Sequence, residues 1–378
     1  MVEKPNKRQF LKAMGAVGTT GVVGMAGCLG DDDTADGTEP DEDYWPPPRD
    51  QIEVISPYGP GSSNPVMNRI WLNSAAQYMP GDIRTTVTYS EGAQGMVAAQ
   101  ETWNAPPDGS TIGGQFISEA GHMELTLPEV SYENFRYFAN YYQDLMGIQI
   151  SHHSRDIDDH FQLEWQDLVE MAEEEPLTLG ISLPVFQVVT EYTFRRAPDF
   201  DEDMYEIIPF DGGGAIREGM LSGDLDGRFV GATSSYPTDR TEFSKLQIIL
   251  GDPDDYPDFA DQLETLESGD GLRDGVPRDA WLVNQDFPED IARDIGRLFV
   301  DGIATMLPPG TPDEVAEIFE DAYTEAIEDE ERSQEVIDTL GEMREIPTIG
   351  EEEVSEIVGN TVETMLDDDL FLELSEDL

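Results

Sequence analysis

Lysine is nearly missing from this chain. Only four occur in 378 residues, Lys4, Lys7, Lys12 and Lys245, and three of them fall within the first twelve positions. With 21 basic residues against 81 acidic ones, the formal net charge is −60. Such a chain has no basic face to neutralise phosphates, so no nucleic-acid partner is expected. Cysteine is reduced to Cys28, which excludes an intrachain disulfide and a thiolate metal cluster. Of four histidines, His152, His153 and His160 stand close together, but their spacing matches no common zinc site and reads as a solvated loop. No metal is assigned. Long apolar runs are lacking too: residues 13–27 form a glycine-rich stretch of about 15 residues, too short to span a bilayer. The chain carries no Gly-x-Ser-x-Gly, no His-Glu-x-x-His and no Walker loop. An enzyme is therefore not expected, nor a cofactor.

What is present is a normal core composition under an acidic surface. Hydrophobic residues make up 38%, with 16 Phe, 13 Tyr and 5 Trp, enough to exclude a disordered polyanion. An acidic shell on such a core suggests adaptation to high salt. The length allows two domains. Residues 1–27 read as an export signal: a basic start precedes the short apolar run. Lys7-Arg8-Gln9-Phe10-Leu11-Lys12 resembles a twin-arginine signal with lysine in the first arginine position. Met25-Ala26-Gly27-Cys28 resembles a lipoprotein box, making Cys28 the expected lipidation site and membrane anchor. Residues 28–49, with Asp31-Asp32-Asp33 and Pro46-Pro47-Pro48, form an acidic tether. The expected location is the outer face of the cytoplasmic membrane.

The most informative stretch is residues 52–114. A short apolar strand at 52–55 leads into Ser56-Pro57-Tyr58-Gly59-Pro60-Gly61-Ser62-Ser63-Asn64. Asn64 reads as an N-cap and Pro65 as the first residue of a helix reaching about residue 79. A glycine-serine loop at a helix start offers backbone N–H groups, hydroxyls and the positive end of the helix dipole to a carboxylate or phosphate. A strand at 84–89 follows, then a second glycine loop, Ser90-Glu91-Gly92-Ala93-Gln94-Gly95, and a short helix at 96–103. Strand–loop–helix alternation recurs further on, implying parallel strands with ligand loops at their carboxyl ends.

The order of four motifs resembles the solute receptors of tripartite tricarboxylate transporters, the Bug-type receptors. The motifs are the loop at 56–64, the loop at 90–95 with Ala105-Pro106-Pro107-Asp108-Gly109-Ser110-Thr111, Ile208-Pro209-Phe210-Asp211-Gly212-Gly213-Gly214, and Leu307-Pro308-Pro309-Gly310-Thr311-Pro312. The resemblance covers residues 50–345. It implies a two-lobed α/β periplasmic-binding-protein-like fold, each lobe a mostly parallel sheet flanked by helices, with the ligand cleft between lobes. Residues 50–151 would begin the first lobe, 152–250 form the second, and 251–378 return to the first and add C-terminal helices. It further implies capture of a small organic acid (a mono-, di- or tricarboxylate) and its delivery to membrane transporter subunits. A sensor of the same fold, and a surface structural or adhesive protein, are the alternatives.

Candidate ligand residues follow from loops and resemblance together. Tyr58, Gly59, Gly61, Ser62, Ser63 and Asn64 would hold one carboxylate. Pro65 stands where the resembling receptors often have an aspartate, so contacts of that residue do not carry over. Gln115 and Phe116 would line the cleft floor or simply pack. Ser182 would face them from the second lobe, and Gly213 would open a helix toward a second anionic group. Arg228 would pair with a second carboxylate if its strand turns it toward the cleft, and would otherwise form a surface ion pair. Thr311-Pro312-Asp313-Glu314 reads as a structural capping box.

Overall fold

The computed structural model describes Trp45 and residues 50–60, 63–92, 95–127, 129–141, 144–155, 157, 163–181, 184–210, 213–232, 244–265, 276–329, 331 and 348–376. Cys28, Gly61, Ser62 and Ser182 lie outside the described residues.

Two six-stranded sheets carry the fold. The first contains β1 (Gln51–Ser56), β2 (Arg84–Tyr89), β3 (Thr111–Phe116), β4 (Arg136–Asn140), β11 (Ile303–Leu307) and β12 (Thr348–Ile349), in the order β12-β4-β11-β3-β1-β2. The pairs β1–β2 and β1–β3 are parallel, while β11 runs antiparallel to both β3 and β4. The second contains β5 (Asp144–Ser151), β6 (Leu177–Ile181), β7 (Tyr205–Pro209), β8 (Gly227–Gly231), β9 (Ser244–Ile249) and β10 (Val300–Asp301). Its order is β10-β5-β8-β6-β7, with β9 pairing β5. Here β6 is parallel to β7 and β8, and β5 is antiparallel to β8, β9 and β10. Each sheet is thus mixed. Its strand–helix units are parallel, and antiparallel strands enter where the chain arrives from or leaves for the other sheet.

Periodicity explains the helices on the first sheet. In α1 (Ser63–Ala75), Met67, Trp71, Leu72 and Ala75 recur at helical spacing and bury one stripe. That stripe packs with Ile52, Val54, Ile112 and Phe138 of the sheet and with Val315 and Phe319 of α9 (Asp313–Glu328). The other face of the sheet is covered by α2 (Met96–Trp103), α3 (Ser118–Thr126) and α10 (Glu351–Asp367) through Met96, Ala99, Met123, Val354 and Val358. On the second sheet, an aromatic core of Trp165, Phe194, Phe200 and Phe229 joins α4 (Trp165–Glu174) and α5 (Pro184–Arg196) to β8. The two other long helices on that sheet are α6 (Gly213–Ser222) and α8 (Glu289–Leu298), and α7 (Pro257–Thr265) covers Leu145 and Ile249.

The chain crosses between sheets twice, from β4 to β5 and from β10 to β11. The first crossing falls between Asn140 and Asp144, not after Ser151 as the boundary at residue 151 would have it. The return falls at Gly302, so the described residues between 251 and 301 belong with the second sheet rather than the first. The reason is that β5 is buried along its whole length and its flanks pair with β8 and β9. The tail then ties the lobes together. Val354, Val358 and Val362 of α10 pack on the first lobe, whereas Met365, with Phe371 and Leu374 of α11 (Asp369–Glu376), enters the aromatic core of the second. The tail is two helices, as the C-terminal helices expected from the sequence. It breaks at Asp368, whose carboxylate caps the N–H groups of Leu370 and Phe371 and accepts bonds from Tyr192 and Arg196 of α5. Among the described residues no helix is long and apolar enough to cross a membrane.

Candidate functional site

The loops at the carboxyl ends of β1, β2 and β3 meet on the first lobe. Ser56 closes β1 and donates from Oγ to Asn64 Oδ1 at 2.9 Å. Asn64 Nδ2 donates to the Gly114 carbonyl of β3 at 3.1 Å, and its Oδ1 also accepts from Asn68 Nδ2 at 2.8 Å. Asn64 was expected as an N-cap, but α1 begins one residue earlier, at Ser63. Its amide is fully buried and fastens the first loop to β1 and β3. Gly114 is required by this lock, because a Cβ there would strike the Asn68 amide.

Around that lock lie further polar groups, several of them buried. Tyr58 is half-buried with its ring 5.4 Å from that of Phe116, and its hydroxyl has no partner. The Glu91 carboxylate from the β2 loop occupies the space a Cβ on Gly59 would need. Gly95, at φ +87°, is the N-cap of α2, and no side chain caps that helix. The first N–H groups of a helix lack intrahelical partners and carry its positive dipole end. Two buried side chains converge on this point. A Cβ placed on Gly95 would stand 2.9 Å from Glu119 Oε2 and 3.2 Å from Gln115 Nε2. Gln115 is 6% exposed and Glu119 5%, and both atoms lack hydrogen-bond partners. An amide donor and a carboxyl group are therefore packed against Gly95 at the start of a helix that no side chain caps. Unpartnered buried polar atoms occur elsewhere in this structure, as at the indole nitrogens of Trp71, Trp165 and Trp281; what sets these two apart is that both lie at one helix terminus.

The electrostatics beneath the site are unusual. Burial pushes the Glu119 carboxyl well above the usual range, and the nearby Asp301 pushes it further. Asp301 itself is raised to about 7 by burial, against bonds from Gly302 and Ser118 and with the Asp144 charge raising it further. Ser118 Oγ donates to Asp301 Oδ1 at 3.1 Å. Asp301 and Asp144 are register partners on β10 and β5, beside both interlobe crossings. A seam of buried acids thus runs from the crossings to the floor of the loop cluster.

The remaining sequence candidates lie in the second lobe. Gly213 opens α6. Arg228 is buried, and its Nε donates to Gln149 Oε1 at 2.7 Å across the β8–β5 pair. Ile148, Ile150 and Phe229 point into the aromatic core, so strand alternation puts Gln149 and Arg228 on the opposite face. The structure therefore gathers Tyr58, Gly59, Asn64, Gln115 and Phe116 in one place, with Ser63 at the start of α1, and sets Gly213 and Arg228 apart on the other lobe. Sequence reasoning missed Glu119, Asp301 and Asp144. The one available signal was an acid inside an apolar run, as in Leu298-Phe299-Val300-Asp301-Gly302-Ile303.

No protein-family model matches the chain, and no curated protein sequence matches it. Solved structures do match. A TctC solute binding protein from Polaromonas superposes with TM-score 0.58 at 16% identity, covering 87% of this chain and 98% of that one. MatC from Rhodopseudomonas palustris, solved with bound malate, gives 0.60 at 13% identity, covering 86% and 98%. A second R. palustris protein, solved with adipate, gives 0.63 at 12% identity, covering 88% and 98%. The class is thereby defined: this is the two-lobed periplasmic-binding-protein fold. Among the chains similar to it are tripartite-tricarboxylate-type solute-binding proteins at low identity.

Proposed function

We propose that this protein is an extracytoplasmic receptor that captures a small organic acid by its carboxylate and presents it to the membrane subunits of a tripartite tricarboxylate-type transporter. The observation that carries the reading is the meeting of Gln115 Nε2, Glu119 Oε2 and the uncapped terminus of α2 at Gly95. Tyr58, with its free hydroxyl and its ring on Phe116, supplies a wall for the ligand's carbon chain. The similar proteins solved with malate and adipate support a carboxylate as the ligand class. Ser182, Gly213 and Arg228 of the second lobe would close over a second polar group, since a ligand that favours the closed state draws the lobes together. The protein catalyses no reaction in this role and needs no cofactor. Lipidation at Cys28 and the acidic tether at 28–49 would hold it at the outer membrane face, in a high-salt setting.

The test is the thermal unfolding midpoint of the protein in molar salt with mono-, di- and tricarboxylates added singly. A ligand at 100 times its dissociation constant stabilises the fold by about 2.7 kcal/mol. No shift with any acid overturns the reading.

A further inference from the structure

A bound carboxylate has only acceptors, and so has an ionised glutamate. At the terminus of α2 the ligand would lie against Glu119 Oε2, a buried oxygen without a hydrogen-bond partner that packs beside Gly95. Two anions in that space would repel in a site shut off from water. An uncharged carboxyl group reverses the interaction, because its O–H donates a short, charge-assisted bond to the ligand. We propose that Glu119 stands as a neutral acid in the floor of the site and donates a hydrogen bond to the ligand carboxylate, so that capture is linked to one proton. The inference rests on the receptor reading above and deepens it.

The surroundings of Glu119 favour the neutral form. It is buried, and α2 presents Met96 and Ala99 to this face, with Glu101 at its far end bonded to Ser90. From β3 comes the Gln115 amide, and the Phe116 backbone gives the one group that favours the charged form. From β10 comes Asp301, an acid that raises Glu119 further. Glu91, in the β2 loop, lies against Gly59. In α3 itself His122 is held below its ordinary value by burial, so it tends to be uncharged and offers no compensating cation. From α10, Met365 packs against Gly121. None of these groups is a cation. A carboxylic acid kept neutral by an apolar site so that it can donate a bond is a known device.

The proton balance is simple. At a pH below the titration of Glu119 the free protein already holds the proton, and binding moves none. Above it, each capture takes one proton from solvent and each release returns it. Affinity then falls tenfold per pH unit.

The experiment is calorimetric titration of the full chain with malate and with adipate in molar salt, from about pH 6 to about pH 10, where the ligands stay ionised. The wild type is expected to lose affinity tenfold per unit above a single transition. Glu119→Gln, which keeps a donor and cannot ionise, is expected to bind with no such fall. Glu119→Ala, which has no donor, is expected to bind about tenfold to a hundredfold more weakly at pH 6. An infrared band of a protonated carboxyl at neutral pH, removed by E119Q, checks the proton without a ligand. A fall that survives in E119Q, as one arising from Asp301 would, overturns the inference. So does a wild type with no fall, or a missing band. Failure of all three proteins to bind either acid at every pH instead overturns capture of a dicarboxylate, and the inference with it.

Discussion

Gly95 offers the sharpest test of where the carboxylate sits. Its φ of +87° is left-handed, so an alanine costs about 1–2 kcal/mol in backbone strain. Its Cβ would lie 2.9 Å from Glu119 Oε2 and 3.2 Å from Gln115 Nε2. The first distance is below ordinary contact, and both side chains are buried and held by packing, so something must shift. The methyl would push the ends of Glu119 and Gln115 away from the terminus of α2. Two bonds to an ionised ligand are worth about 1.5–3 kcal/mol each. Gly95→Ala should therefore weaken binding by about 3–6 kcal/mol, roughly a hundredfold to ten-thousandfold, while global stability drops by the backbone cost and that of the shifted side chains. Calorimetric titration with malate or adipate gives the first quantity and urea unfolding the second. Gly214→Ala in α6 is the control, because its Cβ meets nothing within 4 Å. If G95A binds within about threefold of wild type, the anion does not sit at the terminus of α2. If G214A alone loses binding, the site belongs to the second lobe.

Two further perturbations concern the frame. Arg155 forks onto Asp226 with Nε to Oδ1 at 2.7 Å and Nη2 to Oδ2 at 2.8 Å, and also bonds the carbonyls of Met171, Glu175 and Pro176. Removing it strands a buried carboxylate, so Arg155→Ala should cost about 3–5 kcal/mol in denaturant unfolding at pH 7. Asp226 is held below its usual range against the effect of burial by Arg155 and the Thr178 N–H, so its stabilisation is present above the unfolded carboxylate range and lost as pH falls through the folded value. The gap between R155A and wild type should accordingly narrow in acid, and a gap under about 1 kcal/mol at pH 7 would mark a surface-like pair. Asp301 has the opposite sign. Raised from 3.8 to about 7, it keeps its proton in the fold when the unfolded chain has lost it. Its contribution is full below the unfolded value and fades as pH rises through about 7, by about 4 kcal/mol at most. Asp301→Asn should match wild type near pH 4 and exceed it at pH 8, and parallel stability curves would refute the assignment.

Much of this was written locally in the sequence. Strands β1, β2 and β3 with their glycine loops follow from short-range patterns, and those patterns led to the loop cluster on the first lobe. What was not legible depends on distant partners. Strand β5 reads the same whichever sheet it joins; its pairing with β8 and β9 decides, and nothing near residue 144 records that. Asn64 has the local signature of a cap, yet its amide bonds Ser56, Asn68 and Gly114. Thr311 likewise has the signature of a capping box, but its hydroxyl turns back to the Pro308 carbonyl and α9 starts at Asp313 with no side-chain cap. Glu119, Asp144 and Asp301 were hidden by abundance. Among 81 acids, three that burial holds in the interior look like all the others.

Those three acids bear on how a chain of net charge −60 would hold an anion, as proposed above. At molar ionic strength the Debye length is about 3 Å, so the distant surface charge is screened and only groups inside the site matter. A cation would be the obvious donor, yet Arg228 is placed on the other lobe and bonded to Gln149. The loop cluster instead collects uncharged donors: the Gln115 amide, the Tyr58 hydroxyl and the N–H groups of α2. Glu119 fits such a set only as a protonated acid, and burial beside Asp301 favours that state. In a polyanionic protein an acid is the residue most readily available, and neutralising it by burial turns it from a repulsive group into a donor. The acidic composition and the capture of an acid are then consistent, provided the floor of the site stays dry.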